Sequence, residues 1–139
     1  MKDIRISDHG NWRHLHWNAI ESAYNNTPFF EYYKDDLRPF YENKYTFLAD
    51  FNEKLRCKIC ELMDISPVVE HTASYHTDFL PDEADYREVI HPKKDYTEVD
   101  KDFLPKPYYQ VFESRHGFLP NLSVIDLLFN MGPESVLVL

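Results

Sequence analysis

The stretch Leu122-Ser123-Val124-Ile125-Asp126-Leu127-Leu128-Phe129-Asn130-Met131-Gly132-Pro133 is the most fully specified element of the chain. Ser123 and Asp126 have the spacing of a capping box, with aspartate standing in for the usual glutamate. Leu122 and Leu127 occupy the hydrophobic-staple positions on either side of it. Gly132 is expected to close the helix in a left-handed conformation, and Pro133 to prevent its continuation. Downstream, Val136-Leu137-Val138-Leu139 stay apolar to the last residue, an unusual exposed tail for a complete monomer.

Upstream of this helix runs Arg115-His116-Gly117-Phe118, followed by Pro120-Asn121. Gly117 offers a positive backbone angle. A helix start carrying Asn121, Ser123 and free backbone N–H groups can hold an anion, with charge added by Arg115 and His116. The simpler reading is that these residues shape a turn and cap a helix. His116, Ser123 and Asp126 do not make a nucleophilic triad, because no GxSxG elbow is present and the capping box accounts for Ser123 and Asp126.

The first half is helical in pattern. Trp12, Leu15, His16, Ala19, Ile20, Ala23 and Tyr24 recur at helical spacing, with Asn11 as the expected cap. Asn25-Asn26-Thr27-Pro28 stops that helix. Phe29, Phe30 and Tyr33 predict a short second helix limited by Asp35-Asp36 and Pro39. Leu48, Phe51, Leu55, Ile59 and Leu62 form the stripe of a third, with Thr46 as N-cap and an end near Asp64. Ile4 and Ile6 suggest a short strand, as do Val68 and Val69 running toward Tyr75. From 76 to 107 the periodicity dissolves, although Phe79, Tyr86, Tyr96 and Phe103 argue for an ordered excursion. The expectation is an α+β or α/β fold, mainly helical, with three to four helices and a few short strands. It occupies a single domain over 1–139, with 76–107 a long irregular excursion within it.

Composition excludes several functions. The 139 residues carry 15 basic and 24 acidic side chains, a net charge of −9. Such a chain repels phosphate backbones, and Lys93-Lys94 is its only adjacent basic pair, so nucleic-acid binding is not expected. No apolar run approaches the roughly 18 residues of a membrane helix, so membrane insertion is not expected. With two cysteines and no apolar leader, a reduced cytoplasmic protein is the default. The three glycines lie too far apart for a dinucleotide or Walker loop. No cofactor is specified.

Four clusters could carry chemistry. His14 and His16 form an HxH pair, but on a helix they point about 200° apart, which argues against joint metal ligation. His16 falls within the apolar stripe, either as a core histidine satisfied by a carbonyl or as a pocket floor beside Arg13, Trp17 and Tyr24. Arg115-His116 with Asn121 and Ser123 is the second cluster. Cys57-Lys58-Ile59-Cys60 lies in mid-helix without a second pair, so it reads as two structural cysteines and no metal is expected. Asp85-Tyr86-Arg87, with His91-Pro92-Lys93 beyond, reads first as a solvated charged loop, and its interest lies in the long excursion around it, where ligand contacts are common.

Trp12-Arg13 with His16 and Tyr24, Thr27-Pro28-Phe29-Phe30, Tyr108, Gln110-Val111-Phe112 and the run from His116 to Asn130 together resemble the WbqC-like family. Asp85, Arg87, Ile90 and Pro92-Lys93 resemble its middle motif. Members are bacterial and mostly uncharacterised, and some lie in O-antigen gene clusters. The resemblance implies a glycine transferase of polysaccharide assembly, with an N-terminal segment of the family absent here. On that reading Arg13 and Arg115 hold an anionic part of the substrate, and His16 or His116 is the general base. Trp17 and Tyr24 stack on a sugar or nucleotide, and Arg87, Lys93, Asn121 and Ser123 complete the binding set. The substrate class would be a nucleotide sugar or an amino sugar. A non-catalytic binding module is the alternative. So is an inactive fragment that needs a missing segment or a second copy, as in a homo-oligomer. The transferase reading expects Arg13, His16, Arg115 and His116 to converge on one cleft.

Overall fold

The computed structural model describes residues 3–81, 83–87 and 104–139. The chain divides into two compact units, Met1–Pro67 with Lys106–Leu139, and Val68–Pro105. In the first unit the helices are α1 (Trp12–Tyr24), α2 (Phe30–Leu37), α3 (Pro39–Glu42), α4 (Leu48–Leu62), α5 (Glu113–His116) and α6 (Val124–Met131). A 3₁₀ turn, His9–Asn11, leads into α1, and another, Gly132–Leu137, follows α6.

The described residues are mainly helical, as the periodicity predicts, and none of them forms a named strand. Around Ile4–Ile6 there is a single antiparallel bridge, Arg5 with Phe47. The Ile6 N–H donates to the Thr46 carbonyl at 3.0 Å and the Leu48 N–H to the Ile4 carbonyl at 2.9 Å. This bridge also explains why Thr46 does not cap α4. Its carbonyl is turned to the N-terminal segment, and Phe47, in an extended conformation, takes the N-cap position with no side-chain bond. Residues 68–75, the second expected strand, are irregular, and Val68 and Tyr75 are largely exposed. Two isolated valines after a proline do not supply the cross-strand partner that a strand needs.

The core is built on α6. Leu128 and Phe129 are completely buried, and Trp17, Phe30, Tyr33, Leu37, Met63 and Leu127 surround them. Phe129 packs against Tyr24 and Phe30, with ring centroids 5.0 and 5.1 Å apart. Full burial of one such phenylalanine stabilises by about 1.5–3 kcal/mol. The Phe29 N–H donates to the Phe129 carbonyl at 3.0 Å, fixing the start of α2 to α6. A second aromatic group, Trp12, Phe40, Tyr41, Tyr45 and Phe51, joins α1 and α3 to α4 through edge-on contacts.

The ends of the helices show which local signals prevailed. Ser123 caps α6 as expected, its hydroxyl accepting from the Ile125 N–H. Gly132 closes α6 at φ +58, and a Cβ there would lie 2.6 Å from the Phe29 ring, so space and conformation both require glycine. Asn11 stands before α1 but adopts φ +49, and its side chain makes no cap bond. In the last turn Ser135 is fully buried and donates to the Gly132 carbonyl at 2.6 Å. Val138 packs on the core, while Val136, Leu137 and Leu139 are exposed.

Candidate functional site

A cavity of about 180 Å³ lies where the end of α1, the 110–119 loop and α6 meet. Tyr24 supplies one wall and His116-Gly117 another, with Gln110, Asp126 and Asn130 among the polar lining. Each is placed by local sequence. Gly117 at φ +70 and ψ −178 ends α5 and turns the chain, a conformation essentially confined to glycine. The Gln110 side chain spans the same loop. Its amide donates to the Leu119 carbonyl at 2.8 Å, and its carbonyl accepts from the Leu119 N–H at 2.9 Å. Thr27, buried, donates to the Tyr24 carbonyl at 2.7 Å and finishes α1 below the cavity.

The floor is a polar network on α6. Asp126 and Asn130 are one turn apart and therefore on one face. Both are buried, although they sit in an otherwise apolar helix. The Tyr108 hydroxyl donates to Asp126 Oδ1 at 2.8 Å. Asn130 Nδ2 donates to the Asp126 carbonyl at 2.8 Å and to Oδ1 at 3.3 Å, and Asn130 Oδ1 accepts from the Val111 N–H at 3.0 Å. Tyr24 lines the same cavity beside Asp126. Burial first, then the adjacent Asp126 carboxylate, pushes the Tyr24 phenol up to about 12. Tyr108 is pushed up to about 12 as well, by burial first and also by Asp126. Among the described residues no salt bridge involves Asp126, and no lysine or arginine lines the cavity. The carboxylate is held by neutral donors alone.

The capping box is therefore only half formed. Ser123 does its part, but the Asp126 carboxylate faces inward to the Tyr108 phenol instead of returning to the helix start. The sequence carried a sign of this. An aspartate and an asparagine at i and i+4 in a run of leucine, phenylalanine and methionine must find buried partners.

The expected site residues separate into several places. Tyr24 and His116 share the cavity. His16 does not. It is exposed, at the edge of a second hollow lined by Trp12, Arg5, Tyr41 and Phe51, with its ring 5.2 Å from Trp12. It is neither a core histidine nor part of the cavity, because Tyr24 lies eight residues further along α1, roughly 12 Å along the axis. Trp17 is core, stacked on Phe30 and near Tyr41, and its buried Nε1 has no hydrogen-bond partner among the described residues. Arg13 pairs with Asp8 at 2.6 Å and lies over Trp12, lining neither hollow. Arg115 is exposed on α5 and outside the lining. Asn121 is an exposed turn residue at φ +55, and Ser123 is the cap. The four-residue convergence of Arg13, His16, Arg115 and His116 does not occur.

In the second unit Arg87 bonds Asp85 through two nitrogens, each at 2.7 Å, and its guanidinium lies over Tyr75 at 4.5 Å and Phe79 at 4.9 Å. This charge pair holds the Asp85 carboxyl down to about 2. Lys93 lies outside the described residues. Cys57 is exposed and Cys60 half-buried, both free. Among the described residues no three His, Cys, Asp or Glu side chains are placed to hold a metal ion. No helix among them is long and apolar enough to cross a membrane.

The sequence profile of the WbqC-like protein family matches residues 1–138. An uncharacterized protein of Mycobacterium tuberculosis, Rv1507c, is 27% identical over an alignment covering 94% of this chain. The chain spans 65% of that relative's length. No solved structure matches.

Proposed function

The chain belongs to the WbqC-like protein family, and from that premise we propose that it is an acyl-type transferase of cell-surface polysaccharide assembly. It moves a glycyl or other aminoacyl group from an activated donor to a sugar, as in O-antigen synthesis, in the cytoplasm. The observation that carries this reading is that His116 and Tyr24 meet in one cavity above the buried Asp126. In this reaction the acceptor's hydroxyl or amine attacks the donor carbonyl, and His116 takes the proton released. The leaving group departs with the electron pair of the broken acyl bond and receives the proton from His116. A positioned base of this kind contributes about 10²–10⁴-fold. Gly117 and the Gln110 brace hold His116 at the cavity wall.

A non-catalytic binding module is the second reading, favoured by one observation. Among the described residues no side chain hydrogen-bonds the His116 ring, whereas a catalytic histidine is ordinarily oriented by a third group. The test incubates the protein with aminoacyl donors and amino-sugar acceptors and follows the acylated product by mass spectrometry. Product that falls at least about a hundredfold in His116→Ala, with ligand binding retained, supports the transferase. Ligand binding without product in either protein supports the binding module.

A further inference from the structure

We propose that the cavity binds the primary-ammonium end of a small ligand on the Asp126 carboxylate. The inference rests on the reading above only for the choice of cavity, since it requires binding and no transfer.

Three observations lead to it. First, Asp126 is a buried carboxylate whose hydrogen-bond partners among the described residues are one phenol and one amide, with no salt bridge. Removing a carboxylate from water is costly unless a counter-charge accompanies it. Neutral donors repay part of that cost, and a cation in the cavity would repay more. Second, among the described residues the lining contains no lysine or arginine, so the cavity repels an anion. Among them His116 alone can carry positive charge, and it stands on the loop wall, not in the α6 network. Third, the volume is about 180 Å³, below the roughly 300–1,000 Å³ of pockets that hold drug-sized ligands. That suits an aminoalkyl group or the amine-bearing edge of a sugar. The raised phenol values of Tyr24 and Tyr108 agree, because both hydroxyls stay protonated and add no negative charge beside the carboxylate, to which Tyr108 donates. The ammonium is a binding handle that keeps its protons.

The test uses the whole chain, isotopically labelled, and follows amide shifts while titrating three probes of similar size: 2-aminoethanol, ethane-1,2-diol and glycolate. The expected result is that 2-aminoethanol binds at least about tenfold more tightly than the diol, as charge-assisted hydrogen bonds exceed neutral ones. Glycolate should bind most weakly, and the shifts should centre on Asp126, Asn130 and Gly117. The preference for the amine should vanish in Asp126→Asn. Ala23→Trp fills the cavity from the exposed side of α1 without touching the carboxylate, and should abolish binding of all three probes. It remains informative if Asp126→Asn fails to fold. Equal affinity for amine and diol, shifts centred elsewhere, or an unchanged preference in a folded Asp126→Asn would each overturn the proposal. Amine binding in a protein that makes no acylated product overturns the transferase reading and leaves this inference standing.

Discussion

Replacing Asn130 with alanine should destabilise the first unit by about 3 kcal/mol. The side chain joins two segments 19 residues apart, because its Oδ1 accepts from the Val111 N–H at 3.0 Å while its Nδ2 donates to Asp126. Each lost hydrogen bond costs about 1 kcal/mol net, and a half-buried N–H left without an acceptor adds about 1 kcal/mol more. For a chain of this length the corresponding fall in melting temperature is about 10 °C. Two measurements check it. Guanidinium unfolding gives the free-energy change, and amide exchange at Val111 reports the individual bond. Protection at Val111 should drop more than at neighbouring amides. A loss below about 1 kcal/mol, with Val111 protection intact, would refute the claim that Asn130 ties the 110–119 loop to α6. Asn130→Asp sharpens the test. It keeps an acceptor for Val111 but sets a second carboxylate against Asp126. Like charges raise the carboxyl pKa in the folded state above its unfolded value of about 4. The added deficit should therefore be absent at low pH and grow as pH rises through that range.

Other outcomes follow from the same geometry. Gly132→Ala should cost more than Gly117→Ala, about 3 against about 1–2 kcal/mol by thermal unfolding. Both have positive φ, but only at Gly132 does a new Cβ meet a ring, that of Phe29 at 2.6 Å. Tyr24 and Tyr108 have folded pKa values raised to about 12 from 10.0, so the stability they contribute is present below pH 10 and lost as pH rises toward 12. Phenolate absorbance should show Tyr24 and Tyr108 among the late-titrating tyrosines, with Tyr33 and Tyr41 also raised by burial, and Tyr108→Phe should remove one titration near pH 12. A thiol reagent should modify exposed Cys57 before half-buried Cys60, read by peptide mass after partial labelling.

The elements were largely legible, because the signals that define them are local. The stripe from Trp12 to Tyr24 has the bounds of α1, and the stripe from Leu48 to Leu62 has those of α4. Ser123 and Gly132 bracket α6 as the cap and stop residues predict. The strand signals at Ile4–Ile6 and Val68–Tyr75 were weaker, since a strand requires a partner that sequence alone does not name.

The site was half legible. Tyr24 and His116 were singled out from sequence and do line one cavity, whereas His16, Arg13 and Arg115 do not. Helical periodicity placed His16 on the apolar side of α1, but that side runs past two separate hollows about two turns apart. Asp126 was read as a cap because a capping box is a pattern of neighbours. Whether its carboxylate turns back to Ser123 or inward to Tyr108 depends on a residue 18 positions away. The sequence by itself determined α1, α2, α4 and α6, the Ser123 cap and the positive φ of Gly117 and Gly132, all of which depend on contacts within a turn or two. Only the tertiary structure decided that Asp126, Asn130 and Tyr108 form one network in a cavity shared by Tyr24 and His116. A buried polar group takes its partners from whichever segments the packing of Phe129 and Leu128 brings beside it.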